Sequence, residues 1–342
     1  MIRLWNDADA EALKALWRDT FGDPDFYIDG VIFKYKTTPE SVILMERGGA
    51  LVSAIHMPVC GFSFWGGEHK ASYVMGVATD RAQRGHGYMR PLMEAALRKM
   101  YESGTAFCTL IPAEDWLYDY YARFGFFEAF YLEKNEVYIN KKAPLAREVS
   151  ECGDDDELYR FYSGYFKDEP FHMKKSRRDF SAVLTDHRLG KGHVLVHKTD
   201  GAPDGMCFAI GEGSCLIKEL CARDPAVREA LISRAGELCG ADKADIISRP
   251  SGRGGANAYR RGMIRAVRFF DALSSYAAAH PDESLTLSVR DGDIPENSGK
   301  YSVRGGRALK LSDAPEGDAL TPAQAMAFLL KGRTCYMNMM LD

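Results

Sequence analysis

Two short stretches of this sequence bring together residue types that can do chemistry. The first is Gln83-Arg84-Gly85-His86-Gly87-Tyr88, a basic turn with two glycines. It follows the apolar run Tyr73 to Thr79 and precedes a helical pattern from Met89 to Tyr101. A strand that feeds a glycine turn opening a helix leaves backbone N–H groups pointing outward. The helix dipole adds partial positive charge at the same place, so the turn suits a phosphate. The competing reading is a tight turn with a solvated basic rim. The second stretch is Tyr121, ahead of Ala122-Arg123-Phe124-Gly125-Phe126. A phenol of pKa about 10 can protonate a departing thiolate, whose thiol pKa is about 8.5, but is a poor base at neutral pH. Helical aromatics are more often core than catalytic, and that reading stays open on the residues alone. Together the two stretches point to a phosphate-bearing cofactor and a proton transfer.

The flanking pattern must position them. Ile2 to Trp5 reads as a strand, and Asn6 or Asp7 can cap a helix whose apolar face is Leu13, Leu16, Trp17 and Phe21. Gly22 and Pro24 stop it, and a second helix is expected over 26–34. Strands are expected over 41–46 and 50–60 around Arg47-Gly48-Gly49, then from Tyr73, then over 105–110, with a final pair over 129–139. This is an α+β layered order of about 140 residues, within the usual domain range. Lys141 to Asp156 is polar and reads as a boundary. A second strand–helix–strand order follows, with strands over 192–198, 205–210, 214–221 and 244–248 and a helix over 225–239. The turn Ala222-Arg223-Asp224-Pro225 has an acid, no glycine, and a proline lacking N–H, so it should not hold a pyrophosphate. Beyond Met263, a helix over 269–279, strands over 285–289 and 300–303, and a helix opened by Thr321 and Pro322 are expected. The apolar end, Cys335 to Asp342, should be docked rather than left in water. The domains read as 1–140, 145–262 and 263–342.

Composition bounds the rest. With 342 residues there is room for two or three domains, and a net charge of −4 argues against bulk attraction to nucleic acid. The eight cysteines include no C-x-x-C pair and read as buried free thiols in a reducing compartment. No secretory leader or membrane span is expected, so the expected location is cytoplasmic. His193 and His197 sit on a strand pattern, roughly 13 Å apart, too far to share one ion, so no metal site is expected. Pro250-Ser251-Gly252-Arg253-Gly254-Gly255 lacks the Lys-Ser/Thr ending of a phosphate loop and reads as a surface loop.

Residues 73–126 resemble the two cofactor motifs of the GNAT acetyltransferases. Gln83–Tyr88 is similar to their pyrophosphate loop, and Tyr121–Phe126 to their tyrosine–glycine–aromatic signature. Met89 stands where that family usually has a small residue. The three-part order resembles the enhanced-intracellular-survival (Eis-like) branch: an active GNAT domain, a degenerate GNAT-like domain, and a sterol-carrier-like α/β domain. Leu285–Val289, Asp291, Pro295, Asn297 and Gly299 carry the last likeness, in a chain shorter than is usual there.

The resemblance implies a bacterial, acetyl-CoA-dependent N-acetyltransferase. Backbone of Met75, Gly76 and Val77 would hold the pantetheine and thioester carbonyl. The turn Gln83, Arg84, Gly85, His86, Gly87 and Tyr88 would hold the pyrophosphate. Tyr121 would be the general acid, and the terminal carboxylate of Asp342 the base. The acceptor would be a small-molecule amine, aminoglycoside-like included, or a protein lysine, and Glu114, Asp115 and Asp119 could give an acidic cleft. A homo-oligomer is open. The rival readings are an acyl-CoA or lipid-binding module, and a catalytically idle acetyl-CoA sensor.

Overall fold

The computed structural model describes residues 1–341 apart from 152, 251, 253, 254 and 316. The chain begins with β1 (Ile2–Leu4), α1 (Ala10–Phe21) and α2 (Asp25–Tyr27), which runs into a π-helical segment, Ile28–Lys36. Then come β2 (Val42–Arg47), β3 (Ala50–His56), β4 (Val59–Phe64), β5 (Gly67–Thr79), α3 (Met89–Glu102), β6 (Phe107–Leu110), α4 (Asp115–Ala122) and β7 (Phe127–Tyr138). The middle holds β8 (Ser150–Glu151), α5 (Asp155–Tyr165), β9 (Met173–Lys174), α6 (Arg177–Leu189), β10 (His193–Thr199), β11 (Ala202–Ile210), β12 (Cys215–Ala222), α7 (Pro225–Cys239), β13 (Lys243–Ser248) and β14 (Ala258–Ala266). The chain closes with α8 (Phe269–Ala279), β15 (Leu285–Val289), β16 (Gly299–Arg304), β17 (Arg307–Ser312) and α9 (Pro322–Leu330).

The fold is mixed α/β. Among the described residues fourteen strands form one sheet, in the order β1-β2-β3-β5-β6-β14-β7-β13-β12-β11-β10-β8, with β4 on β5 and β9 on β4; β15, β16 and β17 form a second sheet. Two like units face each other in the large sheet. In one, β2, β3 and β5 are antiparallel and α3 returns the chain to β6, parallel to β5. In the other, β10, β11 and β12 are antiparallel and α7 returns it to β13, parallel to β12. The units exchange their next strands. β7 leaves β6 to pair with β13, while β14 pairs with β6 and β7. The sequence boundary at 262–263 therefore falls inside a strand.

Three local expectations shift. The strand expected over 50–60 breaks at Met57-Pro58, because proline cannot donate to a ladder, and a hairpin of β4 and β5 follows. The central strand accordingly starts at Gly67, not Tyr73. The helix over 26–34 is largely π-helical. The core lies on both sheet faces. Alternation along β5 sends Tyr73 and Met75 to a cluster with Trp17, Ile32 and Leu341, and Val74 to one with Leu92, Leu97, Cys108 and Tyr121.

Candidate active site

The site begins where two parallel strands part. β5 and β6 pair from Ala71↔Phe107 to Val74↔Leu110, and there β6 ends while β5 runs on to Thr79. On its other edge β5 pairs with β3 through His56↔Met75 and Ala54↔Ala78, so it carries an extra residue at Gly76-Val77. Gly76 has φ +55°, and a Cβ there would lie 2.1 Å from the Trp17 ring and 3.0 Å from His56 Nδ1. Only glycine fits this bulge, which turns the strand just above the parting point. Met75 is buried, whereas Gly76 and Val77 are half-buried and open onto the gap. His56 is buried with neither ring nitrogen hydrogen-bonded; loss of water pulls its pKa down to about 4, with the Gly76 backbone opposing weakly.

The turn after β5 is locally fixed but leaves its donors free. Asp80 Oδ1 accepts from Ala82 N at 2.8 Å, and Gln83 N donates to Asp80 O at 2.9 Å. Arg84 Nε donates to Thr79 O at 3.1 Å, and its own amide is bound only weakly, at 3.5 Å, by Arg81 O. The His86 ring stacks on Tyr88 at 5.5 Å, and Arg47 lies over Tyr88. Gly85 and Gly87 have φ +81° and +74°, with no heavy atom within 4 Å of where a Cβ would stand. Among the described residues the amides of Gly85, His86, Gly87, Tyr88 and Met89 make no hydrogen bond to protein. Of the turn residues expected to hold pyrophosphate, Gln83 and Arg84 thus support the turn, and the open donors begin at Gly85. α3 starts with no side-chain cap and no acid in its first turn, and Leu92, Met93, Ala96, Leu97 and Met100 bury its apolar face. Met89 packs against the same cluster.

Tyr121 sits on α4, on the α3 side of the sheet, against Tyr120 (5.4 Å) and Phe126 (6.0 Å). It is 6% exposed, and its hydroxyl makes no hydrogen bond among the described residues. Burial raises its pKa, so the phenol stays neutral. The turn after α4 is clamped from afar. Arg265, fully buried on β14, donates to the Phe124 carbonyl and pairs with Asp291 and Asp293. A Cβ on Gly125 would meet Arg265 Nη1 at 2.8 Å and Pro322 at 2.7 Å. Of the proposed acidic groups, Asp115 pairs with Arg260, Glu114 accepts from Trp116 Nε1, and Asp119 is exposed.

The C-terminal segment reaches the gap from the opposite face. Cys335 N donates to Ala129 O and Tyr336 N to Phe171 O, both at 2.8 Å, and Met173 N returns a bond to Tyr336 O at 3.0 Å. Cys335 to Leu341 is buried apart from half-buried Met340, and Leu341 lies in the cluster of Tyr73 and Met75. Asp342, the expected base, lies outside the described residues, as do Ser251, Arg253 and Gly254 of the glycine-rich loop. His193 and His197 are bound to Glu151 and Asp204 respectively. Among the described residues no group of three His, Cys, Asp or Glu could hold a metal, and no helix is long and apolar enough to cross a membrane.

Sequence reasoning missed Arg265 and α6. The helix was signalled by Ser176 and Asp179, which form a capping box, ahead of Phe180, Val183 and Leu184.

Residues 1–129 match the sequence model of the acetyltransferase (GNAT) domain. No curated protein matches the chain. In fold the chain is similar to a probable N-acyltransferase of Enterococcus faecalis, with a TM-score of 0.76 at 14% identity over 96% of this chain and 89% of that one. It is also similar to a GCN5-related N-acetyltransferase of Anabaena variabilis (TM-score 0.74, 15% identity, 96% and 89% covered). A third likeness is to Eis1 of Mycobacterium abscessus (TM-score 0.68, 13% identity, 94% and 87% covered). The parted strands, the open glycine turn and the buried tyrosine all fall in the segment that matches the GNAT domain model.

Proposed function

We propose that this protein is an acetyl-CoA-dependent N-acetyltransferase acting on a primary amine. The observation that carries the reading is the run of five unbound amides, Gly85 to Met89, at an uncapped helix start beside the parted strands. Amides aimed outward with the helix dipole behind them stabilise a diphosphate. Backbone of Met75, Gly76 and Val77 holds the pantetheine and thioester carbonyl. The amine nitrogen attacks that carbonyl carbon; the C–N bond forms, the C–S bond breaks, and the thiolate takes the proton of Tyr121, which solvent then restores.

The amine must first lose a proton. An alkylammonium of pKa about 10.4 costs about 4.6 kcal/mol to neutralise at pH 7. In this reading the carboxylate of Asp342 accepts that proton, directly or through a water. Support comes from the buried position of Leu341, which lines one cavity with Tyr73 on the face of the sheet opposite Tyr121. The acceptor is an amine metabolite, an aminoglycoside-like molecule or a lysine side chain, and the reaction is placed in the cytoplasm. The finer family reading is Eis-like, with 145–262 a degenerate GNAT-like unit and 263–342 sterol-carrier-like; α8, β15–β17 and α9 supply the helices and sheet that this last assignment needs.

The test is CoA release from acetyl-CoA across a panel of amines. Tyr121→Phe is expected to lower kcat by about 100- to 10,000-fold while acetyl-CoA still binds. An unchanged kcat removes Tyr121 from the acid role. Binding without turnover on any amine favours the sensor. Calorimetric silence with CoA, together with uptake of long-chain acyl groups, favours the lipid carrier.

A further inference from the structure

A separate cavity lies where the second unit meets the first. The second unit supplies α5 and β9, and β9 pairs with β4 of the hairpin through Gly61↔Lys174 and Phe62↔Met173. The volume is about 440 Å³, within the range of small-molecule sites. Glu68, Ser163, Gly164 and Lys167 form an exposed rim, and buried Tyr162, Phe166, His172 and Lys175 line the interior. Half-buried Tyr159 extends the aromatic wall. No residue of the glycine turn, of α4 or of the Gly76-Val77 bulge lines it.

His172 is the informative residue. Its ring lies nearly parallel to Phe166 at 4.5 Å and to Tyr336 at 5.6 Å, contacts that a phenylalanine would make equally well. The imidazole adds polar atoms to that stack. Its Nδ1 is buried and makes no hydrogen bond among the described residues. Desolvation, then the charges of Lys175, Arg249 and Lys174, hold its pKa well below the usual 6.5. The ring is therefore neutral, with one N–H and one lone pair to satisfy. A buried polar atom without a partner is costly, and a bound molecule in the cavity removes that cost.

Lys175 stands beside it with a donor to spare. Its Nζ donates to Asn338 O at 2.7 Å and to the Tyr162 hydroxyl at 3.1 Å, and an ammonium has three N–H groups. The Tyr336 hydroxyl turns away to Glu219 Oε1 at 2.5 Å. On the rim Lys174 engages Glu68, the one acid of the lining, and Lys167 pairs with no acid among the described residues. The cavity thus offers cations and N–H donors against an aromatic wall. Such a wall favours a flat body over an acyl chain. No arginine fork, the group suited to phosphate, lines it.

We propose that this cavity binds a small aromatic carboxylate, its ring laid on the wall of Tyr159, Tyr162 and Phe166 and its charge met by Lys175 and Lys167, with His172 as a further hydrogen-bond partner. Bound there, the molecule bridges α5 and the β4–β5 hairpin, and through Lys175 it adjoins the C-terminal segment at Asn338. The site does not depend on acetyl transfer.

Calorimetry on the full-length protein with benzoate is the test. Benzoate should bind with a Kd of about 1 mM or tighter, and benzamide and acetate, which lack the charge or the ring, about tenfold more weakly. Saturating CoA and Tyr121→Phe should leave benzoate binding unchanged. His172→Phe keeps the stack and removes the nitrogens, and Lys175→Met removes the buried cation; each should weaken benzoate about tenfold. Should either fail to fold, Ser163→Trp on the exposed rim fills the mouth, and should abolish binding at an unchanged melting temperature. No heat with benzoate, or wild-type affinity in Ser163→Trp, overturns the site. Displacement by CoA places the probe in the gap between β5 and β6 and overturns it too. Decanoate or inorganic phosphate binding as tightly as benzoate overturns the ligand class.

Discussion

The turn after β5 and the turn after β12 occupy matching places in the two units and are built to opposite ends. The first has two glycines with positive φ, no side-chain cap and five unbound amides. The second closes its helix start from within. Asp224 Oδ1 accepts from Ala226 N at 2.7 Å and Val227 N at 3.2 Å, and Pro225 has no N–H to satisfy. An aspartate cap stabilises a helix by about 1 kcal/mol. α7 takes that stabilisation from its own carboxylate. α3 goes without it and leaves the same kind of donor to an external anion. A ligand site of this type is a helix cap left out of the sequence.

Four changes break or sharpen this contrast. Gly76→Ala should have the largest effect, about 3 kcal/mol of lost stability, since the methyl group meets Trp17 in a backbone conformation that alanine avoids; chemical denaturation reads it. Gly87→Asp gives the first turn the carboxylate of the second. It should weaken CoA binding about 100-fold by calorimetry, about 2.7 kcal/mol, by setting a negative charge against the diphosphate. Asp224→Ala opens the second turn, and should cost about 1 kcal/mol while creating no CoA site, because Pro225 still removes a donor.

The smallest effect is a pH slope. The Glu219 carboxyl has a folded pKa near 7, above its ordinary 4.5. Its contribution to stability is full below about pH 4.5 and lost as pH rises through about 7. Glu219→Gln should therefore show a flatter melting temperature from about pH 5 to about pH 7.5 than the wild type. An equal slope in both would show that other groups titrate there. His56 acts in the reverse sense. Its pKa is depressed to about 4, so its contribution is present above about 6.5 and lost as pH falls through 4.

Local chemistry was legible in the sequence, and long-range pairing was not. Thr321 and Pro322 announced α9, the alternation of Leu285–Val289 announced β15, and the acid and proline after β12 announced a closed turn. These signals lie within a few residues of what they specify. The glycine turn after β5 could be placed because it adjoins the apolar run, whereas the parting of β5 from β6 is set by pairing across the sheet. The role of Arg265 could not, since its partners Phe124, Asp291 and Asp293 are set by a strand that inserts from far along the chain. For the same reason the burial of Lys175 and Glu219 has no local signal, since Asn338 and Tyr336 reach them from far along the chain.

The exchange of β7 and β14 has a consequence for anyone cutting this protein. A fragment ending near residue 140 would keep the glycine turn and Tyr121, yet it would lack the strand that covers β6. It would then display a bare ladder edge and an uncovered apolar face, the template on which chains stack into aggregates. The two halves are halves by descent of pattern only; as material they are woven, and neither can be lifted out whole.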